Sequence, residues 1–463
     1  MTNSQTSTDV VLRGEITFRN GSESLLTEEQ LESLKKSSSG ANPAFKNYER
    51  LLRSKPRLAY AKNFVKPDET VTLWSRQSDL VFPRGLYDKI VAMGIKVDDQ
   101  TVSVPPSTPF VLNATLRDYQ QDAINNVVKK KFGVLEAPTG SGKTIMALAL
   151  SSTLQQRTLF IVHTKTLLKQ TIEEVEKKFG FTPGLINGSK FDIKDFTVAT
   201  VQTLINRTIP DGTFGLVIFD ECHHVPANSF IKAASKLNVK HMYGLSATPT
   251  RSDGLTWALY ATIGPTLHKV PKEALLKNNS IVRPKVIAIQ TPYKPSKKFD
   301  PFDVASHLND VSESKIRNDF VIKYIKDVFS KQPNIKPVIL TDRVAHAELL
   351  AEELQEFNPI LYHAQLPNKI QKEHLELIKE STGVFTIATY GAIGEGFDVP
   401  LWDTLFLATP FSSSSRLIQA LGRVSRAAPG KTESYVHDFV DVHDEVLFNR
   451  YEKRRAAYEE LGR

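Results

Sequence analysis

The sequence predicts an α/β protein in which a small α+β unit precedes two parallel-sheet units of similar size. From about residue 116, short apolar segments alternate with helical patterns, which is typical of a parallel sheet with helical crossovers. A second series of the same kind begins after about residue 281. The first 110 residues lack this regular alternation, and they are polar and serine-rich at their start. These three observations predict domains at 1–110, 111–280 and 281–463.

Composition restricts the class of protein. The chain has 463 residues, of which 41% are hydrophobic and 24% charged, as in an ordinary globular protein. Its 59 basic and 51 acidic residues give a net charge of +8, which agrees with a polyanionic partner but does not require one. The single cysteine, Cys222, excludes an internal disulfide and a four-cysteine zinc site.

The sequence also gives an expectation about location. No apolar segment approaches the roughly 18 residues that a membrane span needs. The polar N-terminal residues lack the basic and apolar regions of a secretory signal. We therefore expect a cytoplasmic protein with no membrane partner.

The N-terminal unit is predicted from local signals. A helix is expected at 27–36, where acidic residues come early and lysines late, as the helix dipole favours. Short strands are expected at 71–74 and 80–82, a helix at 86–93 and a proline-rich linker at 102–109.

A basic segment lies between these elements. Residues 46–62 carry six basic side chains against one acidic side chain, with tyrosines interleaved. This segment is the leading candidate for a contact with duplex or branched DNA, and a solvated basic helix is the competing interpretation. Its candidate DNA-binding residues are Arg53, Lys55 and Arg57.

Both parallel-sheet units are predicted from apolar segments of strand length. They lie at 133–135, 158–162, 197–200, 216–219 and 242–245 in the first unit, and at 285–289, 337–340, 359–362, 384–388, 404–408 and 434–439 in the second. Helical patterns lie between most of them, such as 167–179, 345–357 and 370–379.

A phosphate-binding loop is predicted at residues 137–144, where Ala-Pro-Thr-Gly-Ser-Gly-Lys-Thr follows an apolar strand and opens an apolar helix. Glycines allow backbone N–H groups to face phosphate oxygens, and the helix N-terminus adds positive potential. Lys143 is expected to reach the β- and γ-phosphates and Thr144 to bind Mg²⁺. Ala137 stands where the motif usually has glycine. The predicted ATP contacts in this loop are Pro138, Thr139, Gly140, Ser141, Gly142, Lys143 and Thr144.

Two adjacent carboxylates, Asp220 and Glu221, follow the apolar strand at 216–219. Because neighbouring residues at a strand end point in different directions, the two acids can divide their roles. We expect Asp220 to hold Mg²⁺ and Glu221 to orient and deprotonate the attacking water. The run Cys222, His223 and His224 is not expected to bind a metal, because consecutive residues do not easily converge on one ion.

With residues 220–223, Asp-Glu-Cys-His, the chain resembles the superfamily 2 helicases and translocases, whose DExH box has a DECH form. Other motifs follow in the family's order across residues 116–440. They resemble the adenine-reading motif of the XPB- and RecG-like branches at 116–120, motif Ia at 162–170, a strand-binding motif at 198–204, motif III at 246–249, motif V at 387–400 and motif VI at 419–426.

The resemblance implies two tandem RecA-like motor domains that use ATP and Mg²⁺. Ser246 and Thr248 are expected to hydrogen-bond to His223 and relay the state of ATP. Arg423 and Arg426, three residues apart on a helix, are expected to share one face and to act when the two motor domains close. The resemblance also implies that Gln419 is a catalytic residue. It implies that five further residues bind ATP: Arg117, Gln120, Glu395, Gly396 and Asp398.

A nucleic-acid track is predicted where strands end. Hydroxyls, amides and basic side chains at such positions can contact phosphates with little base specificity. Any single one of them is equally explained as an ordinary loop residue. The predicted contacts are Thr164, Lys165, Thr200 and Gln202 in the first parallel-sheet unit and Arg343, His363 and Thr389 in the second.

The resulting hypothesis is an ATP-dependent DNA helicase or translocase, a monomeric motor that acts on forks and Holliday junctions. The segment 251–254 is similar to XPB-like translocases, and together with the short N-terminal unit it suggests a resemblance to phage branched-DNA helicases of the UvsW type. That similarity implies a phage-encoded protein of replication, recombination or repair that acts in the host cytoplasm.

Three alternatives stay open: an RNA helicase, the motor subunit of a restriction enzyme, and an ATP-gated clamp that does not unwind. The DECH box and Gln419 argue against the DEAD-box group of RNA helicases, but not against every DExH RNA helicase. No nuclease motif is evident outside the motor, although a separate nuclease subunit would fit. Loss of all nucleic-acid-stimulated ATPase would favour the clamp.

Overall fold

The computed structural model describes residues 10–19, 21–54, 65–223, 227–251, 253–278, 281–299, 303–380, 385–393, 399, 401–410, 414–428 and 430–462. Two compact units are present. The first comprises Met1–Pro138 and Gly142–Val270, and the second comprises Thr139–Ser141 and Pro271–Arg463. The first unit thus holds both the N-terminal α+β part and the first parallel sheet, and it ends ten residues before the predicted boundary at 280.

The N-terminal part is built on a five-stranded sheet with the order β5-β6-β2-β1-β7. Thr27 caps the predicted helix: its side chain accepts a hydrogen bond from the Gln30 backbone N–H, and the Gln30 side chain accepts one from the Thr27 backbone N–H. The elements are β1 (Val10–Leu12), β2 (Glu15–Phe18), α1 (Glu28–Ser37), β3 (Ser39–Ala41), α2 (Pro43–Ser54), β4 (Thr70–Thr72), β5 (Ser75–Arg76), β6 (Leu80–Pro83), α3 (Tyr87–Ala92) and β7 (Asp98–Asp99).

The first parallel sheet has eight strands in the order β11-β10-β12-β9-β13-β14-β8-β15, of which only the β10–β11 pair is antiparallel. Its elements are α4 (Asp118–Val127), β8 (Phe132–Glu136), α5 (Lys143–Leu154), β9 (Thr158–Val162), α6 (Lys165–Phe179), β10 (Gly184–Asn187), β11 (Lys190–Asp192), β12 (Phe196–Thr200), α7 (Val201–Ile205), β13 (Leu216–Phe219), α8 (Ala227–Ser235), β14 (His241–Ser246), α9 (Thr256–Ile263) and β15 (Thr266–Lys269).

All five predicted strands of this sheet are present, and three further strands were missed. The missed strands β10, β11 and β15 lie at or near the sheet margins, and β11 is exposed at every residue. A strand at the margin buries little apolar surface, so its sequence carries no apolar burst.

The second unit contains a six-stranded sheet, all parallel, with the order β16-β21-β20-β17-β19-β18. Apolar clusters cover both faces, centred on Trp402 on one and Phe406 on the other. The elements are α10 (Lys272–Lys277), β16 (Pro284–Gln290), α11 (Val304–Glu313), α12 (Lys315–Lys331), β17 (Pro337–Thr341), α13 (Val344–Glu353), β18 (Ile360–Tyr362), α14 (Asn368–Glu380), β19 (Thr386–Thr389), β20 (Thr404–Leu407), α15 (Ser414–Val424), β21 (Ser434–Val440) and α16 (Glu445–Gly462). Two parallel-sheet α/β parts preceded by an α+β part agree with the predicted fold class.

Within the first unit, Arg84 joins the N-terminal sheet to the first parallel sheet. Its side chain is 2% exposed, and it donates to the carbonyl oxygens of Gly14 at 2.9 Å and Val239 at 3.5 Å, and also to that of Leu237. Burial lowers the pKa of Arg84 to about 9, so the guanidinium is still charged at neutral pH. One arginine therefore satisfies carbonyl groups from both parts at once.

Glycine permits this close approach. A Cβ atom on Gly85 would lie 2.3 Å from the Tyr260 carbonyl oxygen, and one on Gly14 would lie 2.2 Å from that of Ser235. The apolar core is continuous across the same contact, because Leu12 and Phe82 belong to one cluster with Phe132. The N-terminal part therefore shares the core of the first parallel sheet.

The predicted linker at 102–109 has no regular secondary structure, as expected, but it is attached along the first parallel sheet. Val102 and Val104 accept backbone hydrogen bonds from Lys240 at 2.9 Å and Arg157 at 2.6 Å. Its prolines do not prevent this attachment, because the carbonyl oxygens do the bonding. In the described residues, no helix is both long and apolar enough to cross a membrane.

Candidate nucleotide site and nucleic-acid track

The predicted phosphate loop leads from β8 into α5. Gly140 and Gly142 have φ values of +85° and +79°, which glycine adopts without strain. The backbone N–H of Ala137 donates to the Ser246 carbonyl oxygen at 2.8 Å, so the start of the loop is fixed to the end of β14. Ala137 is fully buried, and a small side chain fits where the motif usually has glycine.

Lys143 and Thr144 occupy the first turn of α5. The Lys143 ammonium lies 3.1 Å from Glu221 Oε1 and 3.4 Å from the Ala137 carbonyl oxygen. The ammonium thus lies beside the carboxylate that follows β13, at the carboxyl edge of the parallel sheet. A positive group there is poised to receive phosphate oxygens.

The two acids after β13 differ in backbone conformation and in their contacts. Glu221 has a φ of +44°, a left-handed conformation that is uncommon for a residue with a Cβ atom. Its N–H donates to Asp220 Oδ1 at 3.1 Å, and Asp220 is 6% exposed. The Glu221 carboxylate lies beside Lys143 at 3.1 Å, while the roles expected for the two carboxylates stay predictions.

His223 connects the acids to the end of β14. Its Nδ1 lies 2.8 Å from Ser246 Oγ and 3.5 Å from Glu221 Oε2. Thr248 takes part differently from the prediction: its backbone N–H donates to Ser246 Oγ at 3.0 Å, and it is Ser246 Oγ that lies 2.8 Å from His223 Nδ1.

Arg251, for which the sequence predicted no role, supports the backbone of His223. Arg251 is 8% exposed and donates to the His223 carbonyl oxygen at 2.9 Å, while its Nε donates to Asp253 Oδ1 at 3.0 Å. The available signal was the Arg-x-Asp-Gly run directly after motif III.

Cys222 faces the interior. It is fully buried, and burial raises the pKa of its thiol, an effect increased by the neighbouring Glu221 and Asp220 carboxylates. A Cβ atom on Gly244 would lie 2.8 Å from its sulfur. The described residues contain no group of three or more histidine, cysteine, aspartate or glutamate side chains arranged to hold a metal, and His224 lies outside them.

Gln120 lies beside the phosphate loop. It is 4% exposed, and a Cβ atom on Gly142 would come within 2.6 Å of its Nε2. Its Oε1 accepts a hydrogen bond from the Arg117 N–H at 3.0 Å, and the Arg117 guanidinium donates to the Tyr119 hydroxyl at 3.1 Å. The Q-like segment and the loop are thus adjacent within the first unit.

Motif VI in the second unit differs from the predicted helix. α15 ends at Val424, so Arg423 is helical and 7% exposed, but Arg426 lies beyond the helix and forms an isolated β-bridge with Ile281. The helix ends because the chain pairs with the segment before β16: Val282 N–H donates to the Ser425 carbonyl oxygen at 2.6 Å. The expectation that both arginines share one helix face is therefore wrong.

Several predicted site residues lie outside the described residues: Lys55, Arg57, Glu395, Gly396 and Asp398. Gln419 belongs to α15 and Arg53 to α2, but their side chains are likewise outside the described part.

The nucleic-acid candidates of the first unit follow the adjacent strands β9 and β12. Thr164 caps α6, accepting the Leu167 N–H at 3.2 Å, and Lys165 begins that helix. Thr200 Oγ1 lies 2.9 Å from Thr203 Oγ1, while the exposed Gln202 donates to the His163 carbonyl oxygen at 3.1 Å. The four residues share one sheet edge, and two of their side chains serve local capping or turn contacts.

The candidates of the second unit follow β17, β18 and β19, which are neighbours in that sheet. Arg343 donates to the Ala305 carbonyl oxygen at 2.9 Å and lies 3.2 Å from Asp342. His363 and Thr389 are 3% and 7% exposed. Arg343 therefore has the most accessible side chain of the three.

Each of the two parallel-sheet parts contains a segment that matches a known protein family. Residues 113–251 match the family described as the res subunit of type III restriction enzymes, and residues 319–428 match the helicase conserved C-terminal domain. The two matches contain, respectively, the phosphate loop with the DECH run and motif VI.

Among the related proteins, one is named as an RNA helicase and another as a DNA translocase. A protein of Acanthamoeba polyphaga mimivirus, named as an ATP-dependent RNA helicase, is 29% identical over 76% of this chain and 69% of its own length. A DNA 3'-5' translocase of Sulfurisphaera tokodaii, XPB2, is 35% identical over 39% of this chain and 42% of its own length. The match thus spans less than half of the archaeal translocase.

Among solved structures, a fragment of a type I restriction enzyme HsdR subunit from Vibrio vulnificus has a similar fold. The similarity has a TM-score of 0.55 with 20% identity, and it covers 71% of this chain and 65% of that one.

Proposed function

Because this chain belongs to the superfamily 2 helicases and translocases, we propose that it is an ATP-driven DNA motor that remodels forks and junctions in replication, recombination or repair. Members of this family use ATP, as a rule with Mg²⁺. The observation that carries the proposal is the 3.1 Å pair between the phosphate-loop Lys143 and Glu221, with His223 hydrogen-bonded to Ser246 beside it.

In this proposal the first unit binds and hydrolyses ATP. The loop from Pro138 to Thr144 holds the phosphates, and Lys143 leaves Glu221 to neutralise the β- and γ-phosphates. Thr144 and Asp220 fit Mg²⁺, because a hydroxyl and a carboxylate supply the oxygen ligands that this ion prefers. Glu221 then accepts a proton from the attacking water.

The remaining roles rest on the family motifs. We assign Arg117 and Gln120 to binding of the adenine base, and Glu395, Gly396 and Asp398 to other parts of the ATP site. Gln419, Arg423 and Arg426 are assigned to stabilisation of the phosphoryl group during its transfer. His223 and Ser246 form the relay from ATP to the nucleic-acid track, with the Thr248 backbone holding Ser246.

Branched DNA is the substrate we favour. The archaeal relative is named as a DNA translocase. The N-terminal part adds α2, on which Lys46 and Arg50 are exposed beside the stacked rings of Phe45 and Tyr48, 6.4 Å apart. A basic helix with aromatic rings fits a phosphate backbone and unpaired bases. The viral source of one relative supports a phage- or virus-encoded protein that acts in the host cell.

An RNA helicase is the second candidate, favoured by the name of the mimivirus relative. The motifs contact the phosphate backbone, which RNA and DNA share, so the motor residues fit either polymer. A restriction-type translocase also fits the family of residues 113–251.

The test compares one preparation of the full chain on several polymers. ATPase stimulation and strand separation are measured with single-stranded DNA, duplex, a fork, a four-way junction and single-stranded RNA of equal length. We expect the fork and junction to be unwound with ATP and Mg²⁺, and RNA to stimulate weakly. Stronger stimulation and unwinding on RNA would replace the DNA proposal with the RNA one.

Two variants serve as controls for this test. Lys143→Ala should remove ATPase on every polymer, whereas Lys129→Ala, an exposed lysine on the same unit, should leave it unchanged. Near-normal turnover by Lys143→Ala would contradict the assignment of the ATP site.

A further inference from the structure

A basic segment between β16 and α11 takes no part in the motifs described above. Residues 291–299, Thr-Pro-Tyr-Lys-Pro-Ser-Lys-Lys-Phe, contain three lysines and no acidic residue. Lys294, Lys297 and Lys298 are all exposed. We call residues 291–299 the lysine segment.

The lysine segment is fixed in place although it has no regular secondary structure. Tyr293 is 1% exposed, and its hydroxyl donates to Asp310 Oδ2 at 2.6 Å. The same oxygen accepts the Ser296 N–H at 3.1 Å, and the ring of Phe299 stacks on His307 with centroids 4.6 Å apart. These contacts hold the backbone between three exposed lysines, and the Lys297 ammonium lies over the Phe299 ring, 5.3 Å from its centroid. Little backbone entropy is therefore lost when a ligand binds.

The lysine segment lies at the carboxyl edge of the second sheet. β16 pairs in parallel with β21, and the Thr291 N–H continues the ladder to the Val440 carbonyl oxygen at 2.9 Å. Six residues after Phe299, the first turn of α11 accepts the hydrogen bond of Arg343 at Ala305. Arg343 follows β17 at this same edge, three strands from β16 in the order β16-β21-β20-β17, so the lysines and the arginine lie at one edge of the sheet.

We propose that the lysine segment binds the phosphodiester backbone of the nucleic acid on which the motor acts, and extends the track of the second unit beyond Arg343. The inference rests on the proposed function, because it assumes that the chain binds a nucleic acid. Three ammonium groups on a fixed backbone suit successive phosphates and give no base specificity.

The acidic side chains around the lysine segment leave it positive. Asp310 is occupied by Tyr293 and Ser296, and these hydrogen bonds lower the pKa of its carboxyl against the opposing effect of burial. Asp303 caps α11 by accepting the Ser306 N–H at 3.2 Å, and the charge of Lys297 contributes to lowering its pKa. Of these two described carboxylates, Asp303 is the one whose charge interacts with a lysine of the segment.

The experiment measures binding of a dT oligonucleotide and of an rU oligonucleotide by fluorescence anisotropy across a salt series. The triple variant Lys294→Gln, Lys297→Gln, Lys298→Gln should bind about 10- to 100-fold more weakly at 100 mM salt. The slope of log K against log salt should become shallower by about 2, since each lost contact with a single strand contributes roughly 0.7. The two oligonucleotides show whether DNA, RNA or both are held.

Two matched variants separate charge from structure. The triple arginine variant at the same positions should keep the wild-type slope, and a control with Lys323, Lys331 and Lys372 changed to glutamine, all exposed on helices of the same unit, should leave affinity unchanged. An unchanged slope in the first triple variant would overturn this inference alone. Absence of nucleic-acid binding by the wild-type protein would overturn the proposed function as well.

Discussion

At the scale of single residues, the backbone of Glu221 is the feature that composition alone would not suggest. A left-handed φ of +44° costs a residue with a Cβ atom about 1–2 kcal/mol. The hydrogen bonds of Glu221 N–H to Asp220 and of Cys222 N–H to Leu245 at 3.0 Å hold this conformation. The fold therefore sustains a strained backbone at the point where one carboxylate must turn away from the other.

The role of Glu221 is tested by Glu221→Gln. The amide keeps the size of the side chain but cannot accept a proton, so we expect the turnover number for ATP to fall by about 10²–10⁴ with nucleic-acid affinity within threefold of wild type. Steady-state ATPase and anisotropy measure the two quantities. Glu174→Gln on α6 serves as the control. A loss below tenfold would remove Glu221 from the proton-transfer step.

Arg84 gives a prediction about stability. Arg84→Met retains much of the apolar volume but leaves buried carbonyl oxygens of both parts of the first unit without their donor, so we expect the free energy of unfolding to fall by about 3 kcal/mol. Urea denaturation followed by circular dichroism measures this. The control Arg76→Met removes an arginine that is 56% exposed and paired with Glu23, and should cost about 0–1 kcal/mol. Equal losses in the two variants would refute the special role of Arg84.

At the scale of elements, the parallel strands determine which residues meet. β8, β14, β13, β9 and β12 are consecutive neighbours in the order β12-β9-β13-β14-β8, and all run in the same direction. Their carboxyl ends therefore place the phosphate loop, motif III, the two acids and the nucleic-acid candidates along one edge. Sequence spacing alone does not give this order, because strands adjacent in the sheet are distant in the chain.

The helix α2 gives a prediction at this scale. Removing residues 1–110 is a poor test, since Leu12 and Phe82 belong to the core of the first unit. The surface variant Lys46→Ala, Arg50→Ala, Lys66→Ala instead removes two exposed charges of α2 and that of Lys66, whose ammonium lies over the α2 residue Phe45, 5.2 Å from the ring centroid. We expect affinity for a fork or four-way junction to fall by about tenfold, with single-strand-stimulated ATPase within twofold of wild type.

The control for α2 changes Lys36, Lys96 and Lys129 to alanine, which are exposed elsewhere on the same unit. If the first triple variant binds junctions as well as the wild-type protein does, α2 has no part in recognising the branch. If both weaken junction binding equally, total charge and not α2 determines the affinity.

At the scale of the whole molecule, hydrolysis is expected to need residues from both compact units. Lys143 and Glu221 belong to the first unit and Arg423 to the second. We expect Arg423→Ala to lower the turnover number by about 10³–10⁵, the range for an arginine finger, while the dissociation constant for ATP changes less than threefold. Turnover and equilibrium binding of a fluorescent ATP analogue measure the two. An equal effect on both would identify a structural arginine.

The sequence by itself determined the motifs, the fold class and the buried central strands of the two parallel sheets, whereas the buried strand β1 of the N-terminal sheet was missed. The phosphate loop at 137–144, the acids at 220–221 and the strand at 216–219 are local features, because side-chain type and short-range periodicity specify them directly. The same locality explains why β9 and β13 were predicted to the exact residue while the marginal strands β10, β11 and β15 were missed.

Only the tertiary structure decided how distant residues combine. It showed that Arg84 closes the N-terminal part onto the first parallel sheet, that the helix of motif VI ends before Arg426, and that Arg251 supports His223. Each of these depends on hydrogen bonds between segments far apart in the chain. Such bonds form only after the sheets are assembled, and no local pattern of residues encodes their partners.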